Sequence, residues 1–234
     1  MPPSRGDCQE KRPTTTAVDP LPDPFMQWTD MPLRAAGPKY AGRMSESLAR
    51  AVSLLGHPLV LLPLTVVALS SAQGDATSRA RIAIGMALFA GIVLIWSWWQ
   101  VRRGRWVHVD ASGKRERRAL NRFLLAALTL ATVIAAWRSE ATALVAGLAM
   151  SAALVAVAMA TSRWCKLSLH MAFAVYAAIL LWQLHTGLGM AALVFSGAIA
   201  WSRLALRRHS PVDLVAGAMA GVLAGAGFRF LAAM

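Results

Sequence analysis

The 234-residue chain has two cysteines, two tyrosines and, beyond residue 50, only five carboxylates and three prolines. Each shortage excludes something. Cys8 falls in a polar tail and Cys165 beside a loop, so no disulfide framework exists and both read as free thiols. Charged residues make up 15% and apolar residues 57% of the chain, against about 25% and about 45–50% in an ordinary soluble domain. That balance excludes a soluble globular enzyme. The carboxylates beyond residue 50 are Asp75, Asp110, Glu116, Glu140 and Asp213, and they form no obvious divalent-ion cage. The formal net charge of +13 does not make a nucleic-acid-binding domain, because beyond residue 50 charge appears only between long apolar runs.

What remains is the pattern of a small polytopic helical membrane protein. Residues 1–49 are rich in Pro, Thr and Asp, carry no cleavable signal sequence, and read as a disordered polar tail with a short interfacial helix near 40–50. Residues 50–234 read as one membrane domain. Seven apolar runs follow at about 51–70, 82–101, 119–137, 141–160, 169–185, 188–206 and 212–234, each near the ~20 residues a span needs. The fold class expected is all-α, a transmembrane bundle of six to seven spans. Pro58 and Pro63 should kink the first span. Trp96, Trp98, Trp99, Trp137 and Trp164 read as interface anchors. Gly217, Gly221 and Gly225 form two overlapping GxxxG steps, a face for close helix packing.

With seven spans, the connections at 102–118, 161–168 and 207–211 share the side of the N-terminus, here called the near side. Beyond residue 50 the near side carries 13 Lys and Arg residues and the far side four. The excess places the near side in the cytoplasm.

Three polar clusters stand on that side. Residues 202–213 hold Ser202, Arg203, His209 and Asp213 in the spacing SRxxxxxHxxxD. His209 and Asp213 are four apart, on one side of a helix start, and Ser210 and Pro211 suit its cap and first position. Free N–H groups and the positive end of the helix dipole would then lie beside His209, where an anion is stabilised. Asp213 can complete a capping box and orient the imidazole together. At 166–170 the chain offers Lys166, Ser168 and His170, and at 108–118 it offers His108, Asp110, Lys114 and Arg117. Lys114 and Arg117 are three apart, so both heads can reach one anion.

The chain here resembles the type 2 phosphatidic acid phosphatase superfamily, in its membrane-embedded lipid phosphatase form, over about residues 80–234. The third family signature, SRxxxxxHxxxD, matches in full at Ser202, Arg203, His209 and Asp213. The second, PSGH, keeps Ser168 and His170 and lacks its Pro and Gly. The first, KxxxxxxRP, finds Arg115 and Arg122 at the right separation with Phe123 in place of Pro. The run Asp110-x-x-x-Lys114-x-x-Arg117 looks like a divergent branch that replaces it.

The resemblance implies a metal-independent, cofactor-free hydrolase of a membrane-lipid phosphomonoester or diphosphate. It implies His209 as nucleophile, Asp213 as its orienting partner, and His170 as the acid and then the base. Arg203, Lys114, Arg117, Lys166, Ser168 and Ser202 would hold the phosphate. The expected partners are the lipid substrate and the bilayer, and no nucleic acid. The expected location is a bacterial inner membrane, with the site toward the cytoplasm. The alternative expectation is a non-catalytic or transport protein of the same fold.

Overall fold

The computed structural model describes residues 41–73, 75–106 and 113–233, with the backbone alone at 41–44, 70–73 and 114. Residues 1–40 of the tail expected over 1–49, Cys8 among them, and His108 and Asp110 lie outside the described residues. Among the described residues every regular element is an α-helix: α1 Ala41–Leu55, α2 Pro58–Gln73, α3 Ala76–Arg102, α4 Lys114–Trp137, α5 Thr142–Thr161, α6 Leu169–Trp182, α7 Thr186–Ala205 and α8 Pro211–Ala232. Residues 41–49, grouped with the tail by composition, are the opening turns of α1.

Helices α3, α4, α5, α7 and α8 are each long and apolar enough to cross a membrane. Their outer faces expose residues such as Leu88, Ile95, Leu130, Val194 and Leu223. A soluble monomer rarely presents that much apolar surface, and these are the helices of an integral membrane protein. The first expected span is a bent pair, with Ser45–Leu55 and Pro58–Leu69 meeting at 49°. The break falls at Gly56 and His57 because Pro58 restricts the residue before it and suits the first turn of a new helix. Pro63 lies inside α2 without ending it; it removes one bond from the ladder. Ser53 pairs with Arg203 and Gly56 lies against Ile199, so α1 runs antiparallel to the end of α7.

The fifth expected span is shorter than its apolar run suggested. Helix α6 has 14 residues, about 21 Å at 1.5 Å per residue, which is less than the ~30 Å of a hydrocarbon core. It forms the centre of the bundle, packed by α2, α5, α7 and α8. Residues Ala172, Phe173, Ala174, Val175, Tyr176, Ala177, Ala178 and Leu180 are all buried, as expected of a helix apolar on every side. Its far end turns sharply into α7 through His185, whose Nδ1 accepts from Gly187 N at 3.0 Å.

Glycine explains how α8 approaches α6. A Cβ on Gly217 would stand 2.5 Å from Ser168 O, and one on Gly221 would stand 2.5 Å from Ala172 O. Both obstacles are backbone, so only glycine permits the contact. The tryptophans divide. Trp98 and Trp99 are exposed, with the guanidinium groups of Arg102 and Arg103 over their rings at 4.9 and 3.7 Å. Trp137 and Trp164 are the most exposed of the described tryptophans. Trp96 is not an anchor: it stacks on Phe123 of α4 at 4.2 Å and meets Trp106 edge-on. Phe123, which stands where the first signature has Pro, thus joins α4 to α3.

Candidate functional site

The corner between α7 and α8 is built by two caps. Helix α7 ends with Arg207 in the left-handed region at φ 52°, and Arg208 N donates to Arg203 O at 3.0 Å. This closure normally uses glycine. It reverses the chain so that His209 returns beside Arg203. Helix α8 then starts on a reciprocal cap: Asp213 N donates to Ser210 Oγ at 3.3 Å, and Ser210 N donates to Asp213 Oδ2 at 3.0 Å. The same Oδ2 lies 3.5 Å from His209 Nδ1. Asp213 therefore caps the helix and faces the imidazole at once. The His209 Nδ1 contact is longer than a good hydrogen bond, and catalytic contacts often tighten only around bound substrate.

The His209 and Asp213 side chains are only 9% and 13% exposed. Burial, then the positive charges of Arg203 and Lys166, lower the His209 pKa to about 4, while Asp213 opposes the shift. The imidazole is neutral at neutral pH. With Nδ1 turned to a carboxylate, Nε2 carries the free lone pair.

A second segment closes on this corner. Residues 165–168 form a loop, not a helical turn, so the four-residue spacing of Lys166 and His170 does not put them on one helix face. The loop is tied down by Lys166 Nζ donating to Arg208 O at 2.8 Å and by Ser168 N donating to Asp213 O at 3.1 Å. Ser168 is fully buried, and its Oγ has no hydrogen-bond partner among the described residues. Leaving a buried hydroxyl unpaired costs about 1–3 kcal/mol, a cost that a ligand accepting its proton would remove. His170 follows in the first turn of α6, within electrostatic reach of Arg203, His57, His209 and Arg208.

Two members of the cluster were not found in the sequence, because they lie before the region of family resemblance. Arg203 is buried and its Nη1 donates to Ser53 Oγ of α1 at 2.8 Å. His57, at the α1–α2 break, meets the His170 ring edge-on with centroids 5.0 Å apart. Its Nδ1 accepts from Leu59 N at 3.2 Å, so in the neutral ring the proton sits on Nε2. The available signal was a histidine inside an apolar run, which is costly unless it has a role.

Not every expected residue joins. Ser202 is buried, but its hydroxyl donates to Ile199 O at 2.8 Å within α7 and cannot also donate to an anion. Arg117 stands half-buried in the first turn of α4, which packs on α5; among the described residues no hydrogen bond or ion pair links it to the His209 cluster. Lys114 opens α4 on the N-cap Gly113. Among the described residues no group of three or more His, Cys, Asp and Glu converges to hold a metal ion. Comparison with protein families, curated proteins and solved structures gives no match to this chain.

Proposed function

We propose that this protein is an integral membrane lipid phosphatase that hydrolyses a phosphomonoester or diphosphate of a membrane lipid through a phosphohistidine at His209. One observation carries the reading. A neutral, buried imidazole faces a carboxylate and feels the charge of a buried guanidinium, in a corner that also holds a buried hydroxyl with no hydrogen-bond partner among the described residues. Ser202, Arg203, His209 and Asp213 match the third signature of the type 2 phosphatidic acid phosphatases in full, and Ser168 and His170 keep the Ser and His of the second.

The chemistry balances on these groups. His209 Nε2 attacks phosphorus; an N–P bond forms and the P–O bond to the lipid leaving group breaks. Asp213 stabilises the positive charge that develops on the imidazole by accepting a hydrogen bond from Nδ1–H, which keeps its proton. The phosphate's own charge favours protonated His170, which gives its proton to the leaving oxygen. His170 then takes a proton from the water that cleaves the N–P bond, releasing phosphate and restoring both rings. Arg203 neutralises the phosphoryl oxygens, held in place by Ser53, while Ser168 donates one hydrogen bond. Lys166 supplies further positive charge beside His209, and His57 fixes the ring of His170. The Lys and Arg excess of the near side, 13 against four, supports a site open to the cytoplasm.

The test is phosphate release by detergent-purified full-length protein across phosphatidate, polyprenyl diphosphate, phosphatidylglycerol phosphate and lipid-linked sugar phosphates, without added metal. Release from one class, lost in His209→Ala, is expected. A folded wild-type protein that releases phosphate from none of them contradicts the proposal.

A further inference from the structure

A second charged feature lies away from the elements that carry the His209 cluster. Between the start of α4 and the end of α5 is a cleft of about 400 Å³ lined by Arg118, Asn121, Arg122, Met159, Ser162 and Arg163. Three guanidinium groups thus border one space. None of them forms an ion pair among the described residues; the neighbouring carboxylate of Glu116 caps Gly113 N at 2.8 Å. Other arginines on the near side are engaged differently, with Arg102 and Arg103 lying over tryptophan rings. Three like charges around one cleft repel each other until an anion enters, and guanidinium forks match phosphate oxygens in pairs. Asn121 adds a neutral donor. The Ser162 hydroxyl already donates to Met159 O, so toward a ligand it can only accept.

The position of the cleft selects the kind of anion. Arg122 lies eight residues into α4, about 12 Å along the axis, inside the apolar segment Arg115–Trp137. Met159 belongs to the last turn of the apolar helix α5, and the strongly exposed Trp164 follows directly. Exposed tryptophan marks the head-group level of a membrane, and the walls below the cleft are apolar and outward-facing, as at Leu130 and Val157.

We infer that the α4–α5 cleft is a binding site for the phosphate of a negatively charged phospholipid, whose acyl chains lie along the outer faces of α4 and α5. The site is independent of the proposed hydrolysis.

Native mass spectrometry of the full-length protein in detergent, with phosphatidylglycerol or phosphatidylcholine added at equal concentration, tests it without any turnover. Wild type retains phosphatidylglycerol in preference to phosphatidylcholine. In Arg118→Ala/Arg163→Ala the preference falls roughly fivefold for each arginine removed. Arg102→Ala/Arg103→Ala, which removes the same charge from the same side, retains it. Arg118→Lys/Arg163→Lys keeps the charge without the paired donors and falls between wild type and the alanine variant, which covers the case in which the alanine variant does not fold. Excess inorganic phosphate leaves the bound lipid in place. An unchanged preference in the 118/163 variants overturns the inference. So does an equal loss in the 102/103 variant, or displacement of the lipid by inorganic phosphate.

Discussion

Adding one methyl group to Gly217 tests the link between the helix packing and the site. The new Cβ would stand 2.5 Å from Ser168 O and 3.2 Å from Met171 Cβ. Ordinary contact begins at 3.4 Å, so α8 must retreat by about 0.9 Å, the difference 3.4 − 2.5, since a backbone carbonyl cannot rotate aside. Asp213 lies one turn earlier on α8 and its carbonyl accepts from Ser168 N. The retreat therefore separates Asp213 and His209 from Ser168 and His170. Overpacking of this kind costs about 1–3 kcal/mol, offset by the ~1 kcal/mol that Ala gains over Gly in a helix. Gly197→Ala is the reference, because its Cβ meets nothing within 4 Å and it receives the helix gain alone. Gly217→Ala should then melt roughly 2–12 °C below Gly197→Ala in the same detergent. A misplacement near 1 Å should also cut phosphate release about 10²-fold, while Gly197→Ala turns over like wild type. Equal melting temperatures and equal turnover in the two variants would show that the close α6–α8 approach does not position the site.

Three further outcomes follow from the same geometry. The attacking form of His209 is neutral and its pKa is about 4. Once the ionisations of substrate and of His170 are divided out, kcat/KM should therefore hold below pH 6.5 and fall as the pH drops through about 4; an acid limb at 6.5 would refute the buried, charge-flanked imidazole. Unfolded, the same ring takes its proton near 6.5, so this group's contribution makes the fold less stable as pH drops from 6.5 toward 4. Ser168→Ala removes a buried hydroxyl that has no hydrogen-bond partner among the described residues, so melting should be unchanged or raised while turnover drops roughly 10²-fold; a large loss of stability would mean the hydroxyl is structural. His57→Asn keeps an acceptor for Leu59 N and loses the ring against His170. It should melt like wild type yet turn over more slowly, and wild-type turnover would remove His57 from the site.

The spans were legible because apolar run length and loop charge are local signals, and the Ser210–Asp213 cap because it uses four consecutive residues. The glycine stripe of α8 was legible as a packing face, although its partner α6 was not. What stayed hidden depends on contacts distant in sequence. Ser53 and Arg203 are 150 residues apart, and nothing in the apolar run 51–70 marks a serine as the support of a buried guanidinium. Trp96 carries the same local signature as Trp98 and Trp99, yet stacking on Phe123 turns it inward. Lys166 and His170 are four apart in sequence, but α6 begins only at Leu169 and Lys166 reaches Arg208 O from a loop. Local signals also leave the surroundings of α6 open: an apolar stretch reads the same whether it faces lipid or, as here, other helices on every side.

The central claim is that His209 becomes phosphorylated, and trapping the intermediate tests it most directly. Wild-type protein mixed with a lipid substrate labelled in its transferred phosphate, then quenched in base, should carry label on His209 that is stable in base and lost in acid. His209→Ala should carry none and release no phosphate. Continued release of phosphate by His209→Ala, or label on a residue other than His209, would contradict the account.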